Sequence, residues 1–172
     1  MTGRPDAGRA GDAIALVPTV TPNHQIYLAV AVLTHGLVGY AVVRGLTGYP
    51  AVAGALGAVL PDVDLFVGAV LAVPLVHRGA VHTPAALAVV GGGALLLGVS
   101  RRRLAAFAVG FLTHLVLDSG TGAGVMWLFP ASTARVGLDL PVHGLLGTAV
   151  LWLASLAIVR FGPRSSRSAV GG

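Results

Sequence analysis

An all-α, polytopic membrane helix bundle of about five transmembrane helices, one of them broken at Pro61, is the architecture this sequence predicts. Three observations predict it. The 172 residues are 55% hydrophobic and only 10% charged, whereas soluble domains carry about 25% charged residues. Mean hydropathy is +0.86. The apolar residues gather in five long runs, and the arginines lie in the short segments between the runs and in the tails, where membrane proteins keep them.

The runs come in order. Residues 25–43, QIYLAVAVLTHGLVGYAVV, form the first. The second is 51–73, AVAGALGAVLPDVDLFVGAVLAV, interrupted at Pro61, which lacks an N–H and disturbs the helix ladder. The third is 80–99, AVHTPAALAVVGGGALLLGV. The fourth, LAAFAVGFLTHLVLD at 104–118, is shorter than the roughly 17–25 residues a bilayer crossing needs. It suits a span whose polar end opens into a cavity. The fifth is 143–159, HGLLGTAVLWLASLAIV. The sequence therefore divides into a loose N-terminal tail (1–22), a membrane-embedded domain (23–160) and a basic, Gly/Ser-rich tail (161–172) expected to be disordered.

Composition excludes some chemistry. There is no Cys, so disulfides and thiolate metal sites are absent. All eleven basic residues are Arg and all six acids are Asp. The net charge of +5 is spread over loops and tails, and no nucleic acid is expected to bind there. Five spans place Arg44, Arg101, Arg102, Arg103, Arg160, Arg164 and Arg167 on one side, and Arg4, Arg9, Arg78 and Arg135 on the other. Positive residues favour the cytoplasm. The C-terminus is then cytoplasmic, in a multi-pass protein of the inner or plasma membrane.

The same threading gathers polar residues at the outer face. In HLVLD, His114 and Asp118 sit at i and i+4 on one helix face, a spacing that suits one divalent metal and equally suits a helix-bracing hydrogen bond. In LPDVDLF, Asp62 and Asp64 follow the proline; a capping role explains one of them well and two poorly. HRGAVHT supplies His77, Arg78, His82 and Thr83. Guanidinium suits phosphate, although Arg78 alone reads equally as a loop charge. His35 lies midway along the first run, where a lone histidine is commonly a hydrogen-bonded core residue. His24 stands at the tail boundary. His143 opens the last run, with Gly147 and no acid four residues on; a role for it and for His24 stays open. Trp127 reads as an interfacial anchor. Buried carboxylates must be paired, metal-bound or protonated, and Arg78 cannot balance Asp62, Asp64 and Asp118 by itself.

In order, His35, LPDVD, HRGAVHT, and GFLTHLVLD before WLFP resemble the YdjM-type family of LexA-regulated, inner-membrane-associated metal-dependent hydrolases, over roughly residues 25–130. That family shows Pro-Asp-x-Asp, His-Arg-Gly-x-Thr-His-Ser, and Ser/Thr-His-x3-Asp before a Trp-Pro-Phe-like stretch. It is distantly similar to zinc-dependent phospholipase C. The resemblance implies His35, Asp62, Asp64, His77, His82, His114 and Asp118 as metal ligands, with Zn²⁺ the expected ion. It implies Arg78 at the substrate anion, and Asp62 or Asp64 bridging metals or taking a proton from water. This sequence departs at Ala80, Val81 and Thr83, and its WLFP reorders the last motif.

The expected activity is hydrolysis of a phosphoester, in a phospholipid or lipid-linked substrate, by metal-activated water near the extracytoplasmic face. The alternative is a non-enzymatic metal-binding or ion-transporting membrane protein. Against transport stand Arg78 and the lack of an internal repeat.

Overall fold

Glycine and alanine decide how this chain packs. The computed structural model describes residues 22–65, 67 and 77–162, and the regular structure among them is helical. Helix α1 spans Pro22–Leu46 and α2 spans Ala51–Val59. A 3-10 turn at Leu60–Asp62 follows α2, so the helix breaks at Pro61 as the missing N–H requires. Helix α3 spans Pro84–Leu96, α4 spans Arg101–Ser119 and α5 spans Leu145–Phe161. The described residues hold no named strand, only an antiparallel bridge between Val125 and Val136.

Helix α2 is the hub, packing on α1 and on α4, while α1 also meets α4 and α5. The contact is backbone on backbone. A Cβ on Gly110 of α4 would fall on the carbonyl of Gly54 in α2, and one on Gly57 would fall on the carbonyl of Phe107. A Cβ on Gly39 of α1 would lie 2.9 Å from the Gly54 carbonyl oxygen. Small residues at such crossings let helices approach closely where lipid supplies no hydrophobic drive. The large apolar core is correspondingly small: Phe111, Leu115 and Val125, with Leu60, Leu87, Phe107 and Trp127 packed on it.

Burial is inverted relative to a water-soluble domain. The buried polar residues include His35, Asp62, Asp64, His82, His114 and Asp118, whereas Leu96 is 90% exposed and Leu145 is 92% exposed. Large apolar side chains exposed in this number suit a membrane or partner face.

The helices differ in length from the apolar runs. Helix α3 covers 13 residues of the twenty in its run. Thr83 caps its start by accepting from Ala86 N, Pro84 takes the first turn, and Gly98 at φ 79 ends it. Helix α4 is longer than its run, because Arg101–Arg103 join it; arginine is a good helix former. By length and composition, α1 alone among the described helices suffices to cross a bilayer, and α3 and α5 are shorter apolar helices. Residues 1–21 and 163–172 of the predicted tails, and residues 66 and 68–73 of the second run, lie outside the described residues.

The elements form two poles. Arg44, near the end of α1, donates from Nε to the Val159 carbonyl near the end of α5 at 3.2 Å. Arg102, opening α4, lies over the Tyr49 ring between α1 and α2. At the opposite pole α2 ends, α3 begins, α4 ends and α5 begins. Residues 120–144 fold back over that pole, with Leu138 N on Ser119 O and Leu140 N on Gly120 O.

Candidate metal centre

Each element brings its polar residue to the second pole for a local reason. The break after Val59 lets Asp62 and Asp64 both turn inward, and both are buried. The Thr83 cap holds His82 immediately ahead of α3. The i, i+4 spacing of α4 delivers His114 and Asp118 to one face, with His114 Nε2 at 3.3 Å from Asp118 Oδ2.

Asp62, His82, His114 and Asp118 converge there. His114 Nε2 lies 3.8 Å from Asp62 Oδ1. His82 Nε2 lies 3.6 Å from the same oxygen and 3.8 Å from Asp118 Oδ2. Ligand atoms about 2.1 Å from a tetrahedral ion stand about 3.4 Å apart, so these separations fit a cation held between them. The protonation pattern points the same way. His114 Nδ1 is 2.7 Å from the Ala58 carbonyl, which can only accept, so Nδ1 carries the hydrogen. In the neutral ring, Nε2 then presents a lone pair to two carboxylates. His82 Nε2, His114 Nε2 and Asp118 Oδ2 are all buried without a hydrogen-bond partner among the described residues. Bare lone pairs facing each other in a buried place repel unless a positive charge sits among them. The backbone carbonyl behind His114 is the usual outer support of a metal-binding imidazole.

Around this quartet the other predicted residues take distinct places. Asp64 lies behind two imidazoles, 3.0 Å from His77 Nδ1 and 3.5 Å from His82 Nδ1. It bonds His77 from the rear but makes no hydrogen bond to His82 Nδ1, and the ligand-spaced groups form without it. His77 is the exposed member, its side chain 38% accessible; with Asp62 and His82 it makes a second ligand-spaced group. His35 stacks on His114 with ring centroids 3.9 Å apart and lies 3.5 Å from Asp118 Oδ1.

Arg78 holds Asp118. Its Nη2 donates to Oδ1 at 2.9 Å and its Nη1 donates to Thr121 Oγ1. Each terminal nitrogen therefore has an acceptor within the protein, and the guanidinium also lines the cavities at the cluster.

Three residues have contacts that the sequence left open or did not signal. His143 comes 3.6 Å from Asp118 Oδ1 and completes a group with His35 and Asp118. Its partners are on other helices, so no local spacing signals it. Thr121 carried no signal at all. Trp127 is a brace: its Nε1 donates to Ser119 Oγ at 2.8 Å and its ring packs on the small core. His24 is exposed at the start of α1 and belongs to none of the ligand-spaced groups.

A cavity of about 50 Å³ reaches the cluster, lined by His35, Asp62, His77, Arg78, Asp118 and His143 with Tyr27, Leu28, Ala31, Val32 and Leu65. Beside it, sharing Tyr27, Arg78 and His143, lies a wider pocket of about 430 Å³ against Leu140, Pro141 and Gly144. The approach is polar at its inner end and apolar along α1.

The family model of the YdjM inner membrane protein matches residues 30–171. The curated proteins and the solved structures contain no match. Nothing among these comparisons extends the likeness to zinc-dependent phospholipase C.

Proposed function

The chain belongs to the YdjM inner membrane protein family, and from that membership and the pocket's geometry we propose that it is a multi-pass, metal-dependent hydrolase cleaving a phosphoester. The observation that carries this reading is the facing of buried, unpartnered nitrogen and oxygen atoms of His82, His114 and Asp118 across a ligand-sized gap.

Asp62, His82, His114 and Asp118 hold a divalent ion, Zn²⁺ being suited to this donor set. The ion, when bound, supplies water activated near neutral pH and positive charge for the phosphoryl oxygens. His77, with Nδ1 held by Asp64 and its ring at the cavity mouth, takes or gives a proton through Nε2. A substrate with an apolar portion fits the approach, since Leu28, Ala31 and Val32 line one wall. This favours a phospholipid or lipid-linked phosphoester.

The orientation follows the charge. Arg44, Arg101–Arg103 and Arg160 lie at the pole away from the cluster, so that pole faces the cytoplasm and the site lies near the extracytoplasmic face. The test is metal content of the purified protein, followed by phosphodiester and phospholipid cleavage by the wild type and Asp118→Ala. Bound metal and cleavage, both lost in the variant, are expected. A metal-free wild type overturns the reading, as does retained metal with no cleavage but with metal flux in liposomes.

A further inference from the structure

We propose that the pocket accepts one divalent cation, because the guanidinium of Arg78 occupies the position a second would take. The inference rests on reading the pocket as a metal centre, and it concerns the number of ions.

The two oxygens of Asp118 face two similar corners. Oδ2 faces His114 Nε2 at 3.3 Å and His82 Nε2 at 3.8 Å. Oδ1 faces His35 Nε2 at 3.5 Å and His143 Nε2 at 3.6 Å. Each corner offers two imidazoles and a carboxylate oxygen at ligand spacing, and the other two ligand-spaced groups, His35–Asp62–His114 and Asp62–His77–His82, draw on Asp62, His82 and His114, which an ion at the first corner already engages. The first corner also takes in Asp62 Oδ1, and the two differ at Asp118 itself. Oδ2 has no hydrogen-bond partner, whereas Oδ1 carries Arg78 Nη2 at 2.9 Å. A divalent ion at the second corner would sit about 2.0–2.2 Å from Oδ1, directly against the guanidinium, and the two positive charges would repel across a buried site.

Charge balance selects the same number. Asp62, Asp64 and Asp118 bring three negative charges, and Arg78 brings one positive charge. With neutral histidines, two positive charges are lacking, and one divalent ion supplies them.

The backbone indicates that the guanidinium is placed rather than incidental. Arg78 has φ 60, left-handed backbone that side chains other than glycine seldom adopt, although Gly79 stands next to it. Strain of this kind persists where surrounding contacts over-determine it. Here Arg78 Nη1 binds Thr121 Oγ1 while Nη2 binds Asp118.

The experiment counts metal. Wild type and Arg78→Met, purified in detergent, are loaded with Mn²⁺ or Zn²⁺, desalted and analysed for ions per chain. One ion is expected in the wild type and two in Arg78→Met, whose neutral side chain of similar length frees the corner of His35, Asp118 Oδ1 and His143. Mn²⁺ paramagnetic resonance gives a second readout: an isolated-ion signal in the wild type and an exchange-coupled pair in the variant. Adding His143→Ala to Arg78→Met returns the count to one. A wild type holding two or more ions overturns the inference whatever the variants do, and so does Arg78→Met remaining at one. A wild type that binds none overturns the metal-centre reading with it, so the two failures are distinguishable.

Discussion

At the residue scale, the decisive atoms are those with their geometry fixed from behind. His114 is aimed by the Ala58 carbonyl and His77 by Asp64. Removing such an outer support costs about 10–100-fold in metal affinity or activity, so Asp64→Asn should lower phosphoester cleavage by that factor through His77 while the metal content and the fold persist, read by cleavage assay beside metal analysis. Asp62 and Asp118 separate in another way. Asp62→Asn removes one of three crowded carboxylates, and the metal-free protein should be no less stable for it. Asp118→Asn takes the partner from Arg78, whose side chain is 13% exposed. Breaking a buried pair costs about 3–5 kcal/mol, and the lower end applies to a guanidinium at a cavity mouth. Both variants lose tight metal binding, but only Asp118→Asn should lower the midpoint of metal-free unfolding.

At the element scale, stability resides in glycine contacts that hydropathy does not reveal. Gly110 meets Gly54 with no room for a Cβ, whereas Gly92 of α3 has nothing within 4 Å. Overpacking costs about 1–3 kcal/mol and a helical Gly→Ala in open space gains up to about 1 kcal/mol. Gly110→Ala should therefore lower, and Gly92→Ala hold or raise, stability toward SDS unfolding in mixed micelles. Equal effects from the two would contradict this packing. The same contrast shows what was legible in the sequence. Local signals were readable: the proline break after Val59, the i, i+4 pair on α4, and the clustering of His and Asp at one pole. Apolar runs, however, do not say where a helix starts and stops. The Thr83–Pro84 cap and Gly98 shortened α3, and arginines outside the run lengthened α4. His143 was placed at the right pole but left without a role, because its partners, His35 and Asp118, lie on α1 and α4. Such meetings are tertiary, and no spacing along one segment encodes them.

At the scale of the whole molecule, the two poles impose an orientation that the chain itself makes easy to test. Arginines collect at one pole and buried acids at the other, roughly the length of α4 apart, about 28 Å for its 19 residues at 1.5 Å each. That approaches the roughly 30 Å of a bilayer core, although α3, at 13 residues and about 20 Å, cannot cover it alone. Because the chain has no cysteine, each introduced thiol reports a single position. Ala123 is exposed at the metal pole, and Ser100 is exposed at the arginine pole, immediately before α4. In intact spheroplasts a membrane-impermeant maleimide should label Ala123→Cys and spare Ser100→Cys until the membrane is opened. The reverse pattern would place the metal pole in the cytoplasm and show that arginine distribution does not set the topology. Labelling of both in sealed cells would deny that the helices between them separate two compartments. The substrate would then reach the pocket from water, and the apolar wall of Leu28, Ala31 and Val32 would require another explanation.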